Sequence, residues 1–186
     1  MKQEIHLRPF TKSDFHRLIN WIGTPEVLVQ WAGPIQFSFP LSPEQLEEYL
    51  ADSGGVAPRR CIFTALTSTE QAFGHIELGA IDYVQQTGSL CRVLVSPAFR
   101  GQGLSVPMVR EVLRIGFDAL QLRRIDLKVY SHNKAAISCY KRVGFVQEGL
   151  LRKAVRVGES YWDTILMAML REEWGSRSPD FPLMMS

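Results

Sequence analysis

Val93-Leu94-Val95-Ser96-Pro97-Ala98-Phe99-Arg100-Gly101-Gln102-Gly103-Leu104-Ser105 decides how this chain folds. An apolar β-rich run ends at Val95, Ser96-Pro97 turns the chain, and a glycine-rich loop opens directly into a helix. That helix carries Val106, Val109, Leu113, Phe117 and Leu120 as one apolar stripe. The first N–H groups of a helix have no internal acceptor, and the helix dipole favours negative charge beside them. Glycine lets a backbone approach phosphate oxygens closely. The segment therefore reads either as a phosphate cradle or as a plain strand-to-helix turn that uses glycine for geometry. It is not the dinucleotide pattern, because Val106 stands where a third glycine belongs, and no Gly-Lys-Ser/Thr marks a P-loop.

Upstream, Cys61 to Leu66, Ala72 to Ile81 and Leu90 to Val95 are β-rich runs separated by polar turns, which predicts an antiparallel meander. Before them, Ile5 to Pro9 predicts a short strand. Phe15, Leu18, Ile19 and Ile22 recur at helical spacing behind a cap at Thr11 or Ser13. Thr24-Pro25 restarts a helical turn, Trp31 to Leu41 reads as a loop, and Ser42-Pro43-Glu44-Gln45 opens a helix in a capping box closed by Gln45. Downstream, Arg124 to Tyr130 is a strand, Asn133 to Val143 a helix stopped by Gly144, and Phe145 to Val157 and Tyr161 to Leu170 are paired strands. The order predicts a mixed α/β domain around one central sheet over residues 1–171, with a polar, Pro-rich tail at 172–186.

Composition fits a soluble globular chain: 186 residues, 46% hydrophobic and 22% charged, enough for one core without staples. Three widely spaced cysteines without a CxxC pattern predict reduced thiols and a cytoplasmic location. The first ten residues lack the apolar run of a signal peptide, and no stretch reaches the length of a membrane span, so no membrane partner is expected. Net charge is +2, but residues 1–90 hold 6 Lys/Arg against 10 Asp/Glu, while residues 91–186 hold 15 against 9. An acidic first half suits a cationic partner and a basic second half a phosphorylated one; scattered surface charge gives the same counts. Arg110, Arg114, Arg123 and Arg124 read as solvated surface and not as a nucleic-acid patch. His6, His16 and His132 have no metal-ligand spacing, so no metal is expected.

A second segment carries more information. Asn133-Lys134-Ala135-Ala136-Ile137-Ser138-Cys139-Tyr140-Lys141-Arg142-Val143-Gly144-Phe145 follows the glycine loop in order. Arg100-Gly101-Gln102-Gly103-Leu104-Ser105 resembles the pyrophosphate signature of the GNAT superfamily of N-acetyltransferases, Arg/Gln-x-x-Gly-x-Gly/Ala, with the small Ser105 in its last position. The Asn133 segment matches that family's Asn-x-x-Ala/Ser-x-x-x-Tyr-x-x-x-Gly-Phe pattern at every fixed position. By element order the resemblance runs from about Glu4 to Leu170. Leu7-Arg8-Pro9-Phe10 and the closing strands are most similar to the branch holding RimJ, RimL and the spermidine acetyltransferases.

The resemblance implies a GNAT-like domain with a mostly antiparallel, partly splayed sheet flanked by helices. It implies an acetyl-CoA-dependent transfer to a primary amine, on a peptide N-terminus, a polyamine or another small amine, by direct transfer in a ternary complex. It further implies that Leu94 donates its N–H to the thioester oxygen and that Val95 adjoins it. Arg100, Gly101, Gln102, Gly103, Leu104 and Ser105 would hold the pyrophosphate. Asn133 would lie by the pantetheine arm, and Tyr140 would protonate the leaving thiolate, where spacing alone makes it a core aromatic. A coenzyme A-binding module without catalysis is the alternative, and homodimers are common among similar enzymes. For a base, Glu77 alternates with apolar residues in Phe73-Gly74-His75-Ile76-Glu77-Leu78 and could face the cleft and attract a cation, with His75 as rival. Trp31, with Phe37 or Phe39, would wall the acceptor pocket or plug the core. An acyl-cysteine route through Cys139 or Cys91 is disfavoured, because no histidine adjoins Cys139.

Overall fold

The computed structural model describes residues 4–51 and 53–175. Its strands are β1 (Ile5–Pro9), β2 (Cys61–Thr67), β3 (Ala72–Asp82), β4 (Thr87–Val95), β5 (Arg124–Tyr130), β6 (Val146–Val157) and β7 (Ser160–Leu170). Its helices are α1 (Phe15–Trp21), α2 (Pro25–Ala32), α3 (Pro43–Ala51), α4 (Ser105–Arg114), α5 (Lys134–Val143) and α6 (Arg171–Gly175). All strands join one sheet in the order β1-β2-β3-β4-β5-β7-β6. Every neighbouring pair is antiparallel except β4 and β5. That mixed, mostly antiparallel α/β sheet is the fold class expected.

The parallel pair decides the shape. β4 and β5 share register only at Thr87↔Arg124, Gly88↔Ile125 and Ser89↔Asp126, then part. The two strands therefore open like a V. Of the stripe expected on α4, Val109, Leu113 and Phe117 are buried against one face of the sheet, where Met108 and Val112 join them beside Phe73, Ile76, Leu78 and Ile125; Val106 and Leu120 are partly buried. The helix continues through a π turn at Ile115–Ala119. There Gly116 leaves room for Ile125, whose Cδ1 would lie 2.5 Å from an added Cβ. The other face carries a second core from α1, α2 and α3, with Phe10, Leu18, Leu28, Trp31, Leu46 and Tyr49. A sheet covered on both faces needs no strict alternation, and β3 is buried continuously from Phe73 to Gly79.

Several boundaries differ from expectation for local reasons. α2 extends through Trp31, so the expected loop begins later; Thr24 caps the helix by accepting from the Val27 N–H at 3.3 Å. The Gln45 side chain does not close a box with Ser42: it accepts from the Ser38 N–H at 2.7 Å and donates to the Ser38 and Pro40 carbonyls, tying down the preceding loop. β4 starts at Thr87, before the expected Leu90, because its first three residues pair with β5. The first residues of the expected tail form α6, docked by Trp174 stacking on Phe117 and donating to Asp118 at 3.0 Å. Residues 176–186 lie outside the described residues. Among the described residues, no helix is long and apolar enough to cross a membrane.

One buried ion cluster fastens β1 to α1. Asp14, 2% exposed, accepts two hydrogen bonds from Arg8 at 2.6 and 2.7 Å, one from Arg17 at 2.5 Å and the Thr11 N–H at 3.1 Å. Burial alone would raise its pKa, but Arg8 and the Thr11 N–H outweigh it and hold the carboxyl at about 2. A depressed carboxylate pKa stabilises the fold above the unfolded value of about 4 and loses that contribution as pH falls through the folded value. Asp14→Asn should therefore be less stable than the parent at pH 7 by urea unfolding, with the gap closing from about pH 4 to about pH 2. A gap independent of pH would contradict that role.

Candidate active site

Two cavities meet in the opening between β4 and β5. The first, about 380 Å³, is lined by Val93, Leu94, Val95, Arg100, Gly101, Gly103, Leu104, Ser105, Asn133 and Tyr140, with Trp31 on its far wall. The second, about 460 Å³, lies toward α2 and the β6–β7 hairpin and includes Ser89, Arg92, Asp126, Lys128 and Thr164. Trp31, Val93, Asn133 and Tyr140 border both.

The loop leaves its backbone amides open. Gly101 and Gly103 have φ of 77° and 78°, a left-handed backbone that costs a residue with Cβ about 1–2 kcal/mol. None of the described turn and cap hydrogen bonds uses the N–H groups from Gly101 to Ser105. Arg100 folds over the strand end and donates from Nε to the Val95 carbonyl at 3.2 Å. Gln102 does not line the cavity; its side chain donates back to the Ala98 carbonyl at 3.1 Å.

The strand amides follow from register. The Ser96 N–H donates to the Phe73 carbonyl of β3 at 2.8 Å, and His75 faces Leu94. Successive N–H groups of a strand point to opposite sides. Leu94 therefore turns its amide toward β3, whereas Val95 and Val93 turn theirs toward β5, where no strand pairs with them. This corrects the expectation that Leu94 is the donor: Leu94 borders the cavity, but its amide is directed at β3. A register shift in β4 opposite the His75–Glu77 stretch sets the phase, with Arg92 at a φ of 49°.

Tyr140 is 7% exposed, and none of the described hydrogen bonds uses its hydroxyl. Burial, with the Cys139 and Cys91 thiols nearby, raises its pKa, so the phenol keeps its proton at neutral pH. Asn133 caps α5 by accepting from the Ala136 N–H at 3.2 Å, and the residue borders both cavities. Burial pushes the Cys91 thiol up to about 11 and raises that of Cys139, so neither is a ready thiolate.

Glu77 is not where a cleft-facing base would stand. It is 1% exposed and borders neither cavity. Its Oε2 accepts from Arg92 at 2.5 Å and from the Tyr49 hydroxyl at 2.6 Å, with Arg60 at 3.8 Å from Oε1. Its charge is paired with Arg92 inside the core. His75, also 1% exposed, is walled by Phe10, Trp31 and Tyr49. Burial, then the charge of Arg92, holds its pKa at about 3, so it stays neutral. Alternation along β3 could not reveal that both faces of the strand are covered. Trp31 is 5% exposed, donates from Nε1 to the Arg92 carbonyl at 3.1 Å and packs on Phe37, so it is core and cavity wall at once, while Phe39 is exposed. The sequence reading missed Arg92 on β4, and Asp126, Lys128 and Thr164; a face count on β5 and β7 could have drawn only the last three together. Among the described residues, no group of three or more His, Cys, Asp and Glu is arranged to hold a metal ion.

Comparison with known proteins agrees with this geometry. The acetyltransferase (GNAT) domain model matches residues 4–146. The spermidine N(1)-acetyltransferase of Vibrio cholerae is 25% identical, covering 96% of this chain and 99% of its own. The L-amino acid N-acetyltransferase AaaT of Escherichia coli is 29% identical, covering 90% and 99%. A crystal structure of the Vibrio cholerae spermidine enzyme in complex with CoA and spermine superposes with a TM-score of 0.80 at 23% identity, over 91% of this chain and 97% of that one. The parted strands, the glycine loop and the two motifs thus belong to one inheritance: the chain is a member of the GNAT acetyltransferase family, an acetyl-CoA-dependent N-acetyltransferase acting on amines.

Proposed function

We propose that this enzyme acetylates an amine-bearing small molecule by direct transfer, with coenzyme and acceptor bound together in the two joined cavities. The observation that carries the reading is the pair of cavities meeting at Val93 and Tyr140. One has the dimensions and N–H groups for a phosphorylated arm, and the other has room for an acceptor. The fit to coenzyme A rests on this chain's own unpaired groups: amides from Gly101 to Ser105 for a diphosphate, and Val95 and Asn133 for an amide-bearing arm. When bound, the coenzyme supplies an acetyl thioester.

Each remaining task falls to a residue at the junction. The Val93 N–H faces the opening and stabilises charge developing on a carbonyl oxygen, a contribution of about 3 kcal/mol for one such donor. Tyr140 holds a proton in a buried setting and delivers it to the departing sulfur. No described side chain at the junction serves as base, so the acceptor enters as the neutral amine after losing its proton to water. Glu77 acts through Arg92: it fixes the guanidinium, and with it the irregular turn of β4 that aims Val93 into the opening.

Relatives acting on spermidine and on L-amino acids support a primary amine without choosing between them. The motif Leu7-Arg8-Pro9-Phe10 and the closing strands support the branch that includes RimJ and RimL, and so keep a peptide N-terminus among the acceptors.

Three measurements test this assignment. Tyr140→Phe should bind coenzyme A as the parent does while kcat falls by ~10²–10⁴; undiminished turnover would remove Tyr140 from the chemistry. Gly103→Ala should weaken coenzyme A roughly tenfold by calorimetry, since about 1–2 kcal/mol of backbone strain opposes the cradle. Glu77→Gln should lower stability by about 3–5 kcal/mol by leaving a buried guanidinium without its counter-ion. The rise of kcat/KM with pH should persist in that variant, because it follows the acceptor's own titration. Loss of the pH dependence would restore Glu77 as the base.

A further inference from the structure

The reaction consumes primary amines, and the second cavity holds one that belongs to the protein. Lys128 is the one lysine among the residues lining either cavity. It is exposed, and none of the described ion pairs or hydrogen bonds uses its ammonium. The other described lysines lie elsewhere. Lys12 pairs with Glu47 at 2.5 Å, Lys134 donates to the Ser131 carbonyl at 2.8 Å, and Lys141 and Lys153 are exposed outside both linings.

Register sets how far that amine is from the junction. Ile125, Leu127 and Val129 belong to the core that α4 and α5 cover, so Asp126, Lys128 and Tyr130 take the opposite face of β5 and line the cavity. β4 and β5 run parallel with Ser89 beside Asp126, so Lys128 stands level with Cys91, and Tyr130 with Val93. At about 3.3 Å per residue, Lys128 is about 7 Å short of the level of Val93 along its strand. A flexible four-carbon stem spans a distance of that order. Asp126, the one carboxylate lining this cavity, lies on the side away from the junction and already accepts from the Ser89 hydroxyl at 2.5 Å. The Arg92 guanidinium is taken by Glu77 and Gln36. None of the described contacts holds the lysine at the closed end.

We infer that Lys128 is itself an acceptor of the reaction: with no free amine in the second cavity, it takes the acetyl group and becomes an Nε-acetyl-lysine. This rests on the acetyltransferase reading and adds a modification site to it. A tethered amine competes at high effective concentration, because it has no translational freedom to lose. Lys128 gives up two protons in all. One goes to water before the attack. As the nitrogen–carbon bond forms and the carbon–sulfur bond breaks, the sulfur takes a proton from Tyr140, and the second lysine proton restores it through water. An ammonium is replaced by a neutral amide, and Asp126 loses the cation beside it on the strand face.

Peptide mapping by mass spectrometry reads this directly, on protein unmodified at the outset and incubated with acetyl-CoA without any amine. Lys128 should gain one acetyl group at least about tenfold faster than Lys134 or Lys141. The rate constant should be independent of protein concentration, and excess free coenzyme A should suppress it. Tyr140→Phe should slow labelling of Lys128 and leave that of the surface lysines unchanged. Lys128 labelled no faster than those lysines, or a rate constant that grows with protein concentration, would overturn the self-acetylation and leave the transferase standing. So would an unmodified Lys128 in protein that turns over a free amine. Protein that binds coenzyme A, acetylates neither spermidine nor any L-amino acid, and leaves Lys128 unmodified would overturn the transfer reaction itself.

Discussion

The parting of β4 from β5 is the constraint on which the rest of the molecule depends. After Ser89 and Asp126 the two strands lose each other, although both continue for several residues inside the protein. Backbone N–H groups enclosed without acceptors are costly, so a folded chain keeps such an opening only where a ligand or solvent completes it. α4 and α5 pack against one face of the sheet and α2 against the other, and their ends frame the opening. What looks like a defect in a seven-stranded sheet leaves the Val93 and Val95 amides open toward the cavities.

The parting is held by a buried polar network on the far side of β3. Arg92 occupies a left-handed conformation that non-glycine residues rarely adopt. Its carbonyl is taken by Trp31 and its guanidinium by Glu77, with Gln36 and the Phe37 and Tyr49 rings alongside. Tyr49 ties the same carboxylate to His75. Remove the counter-ion and the guanidinium loses the reason to stay, and the phase of the strand beyond it is no longer fixed. On the proposed mechanism Glu77 serves the reaction through geometry, without touching the reacting atoms.

The glycine loop, the Asn133 segment, the meander and the strand order were legible because each rests on local chemistry: turn residues, caps and periodicity. The phase of the β4 amides was not, since a one-residue register shift at Arg92 exchanges Leu94 for its neighbours and leaves no compositional trace. Nor was the fate of Glu77, because a polar residue in a strand reads as outward-facing when the second layer of helices is unknown. Trp31 was misread as loop because the glycine and prolines after it drew the boundary too early. Lys128 and Thr164 come to one side of the sheet only through pairing between β5 and β7, which joins residues far apart in the chain.

The most direct test of the central claim is an amide-resolved NMR titration of the protein with coenzyme A. Val93, Val95 and the amides from Gly101 to Ser105 should shift and become protected from hydrogen exchange, while Leu94, already bonded toward β3, should stay protected throughout. Protection confined to other segments, or a Leu94 amide that gains protection in place of Val93 and Val95, would contradict the assignment of the opening as the coenzyme site.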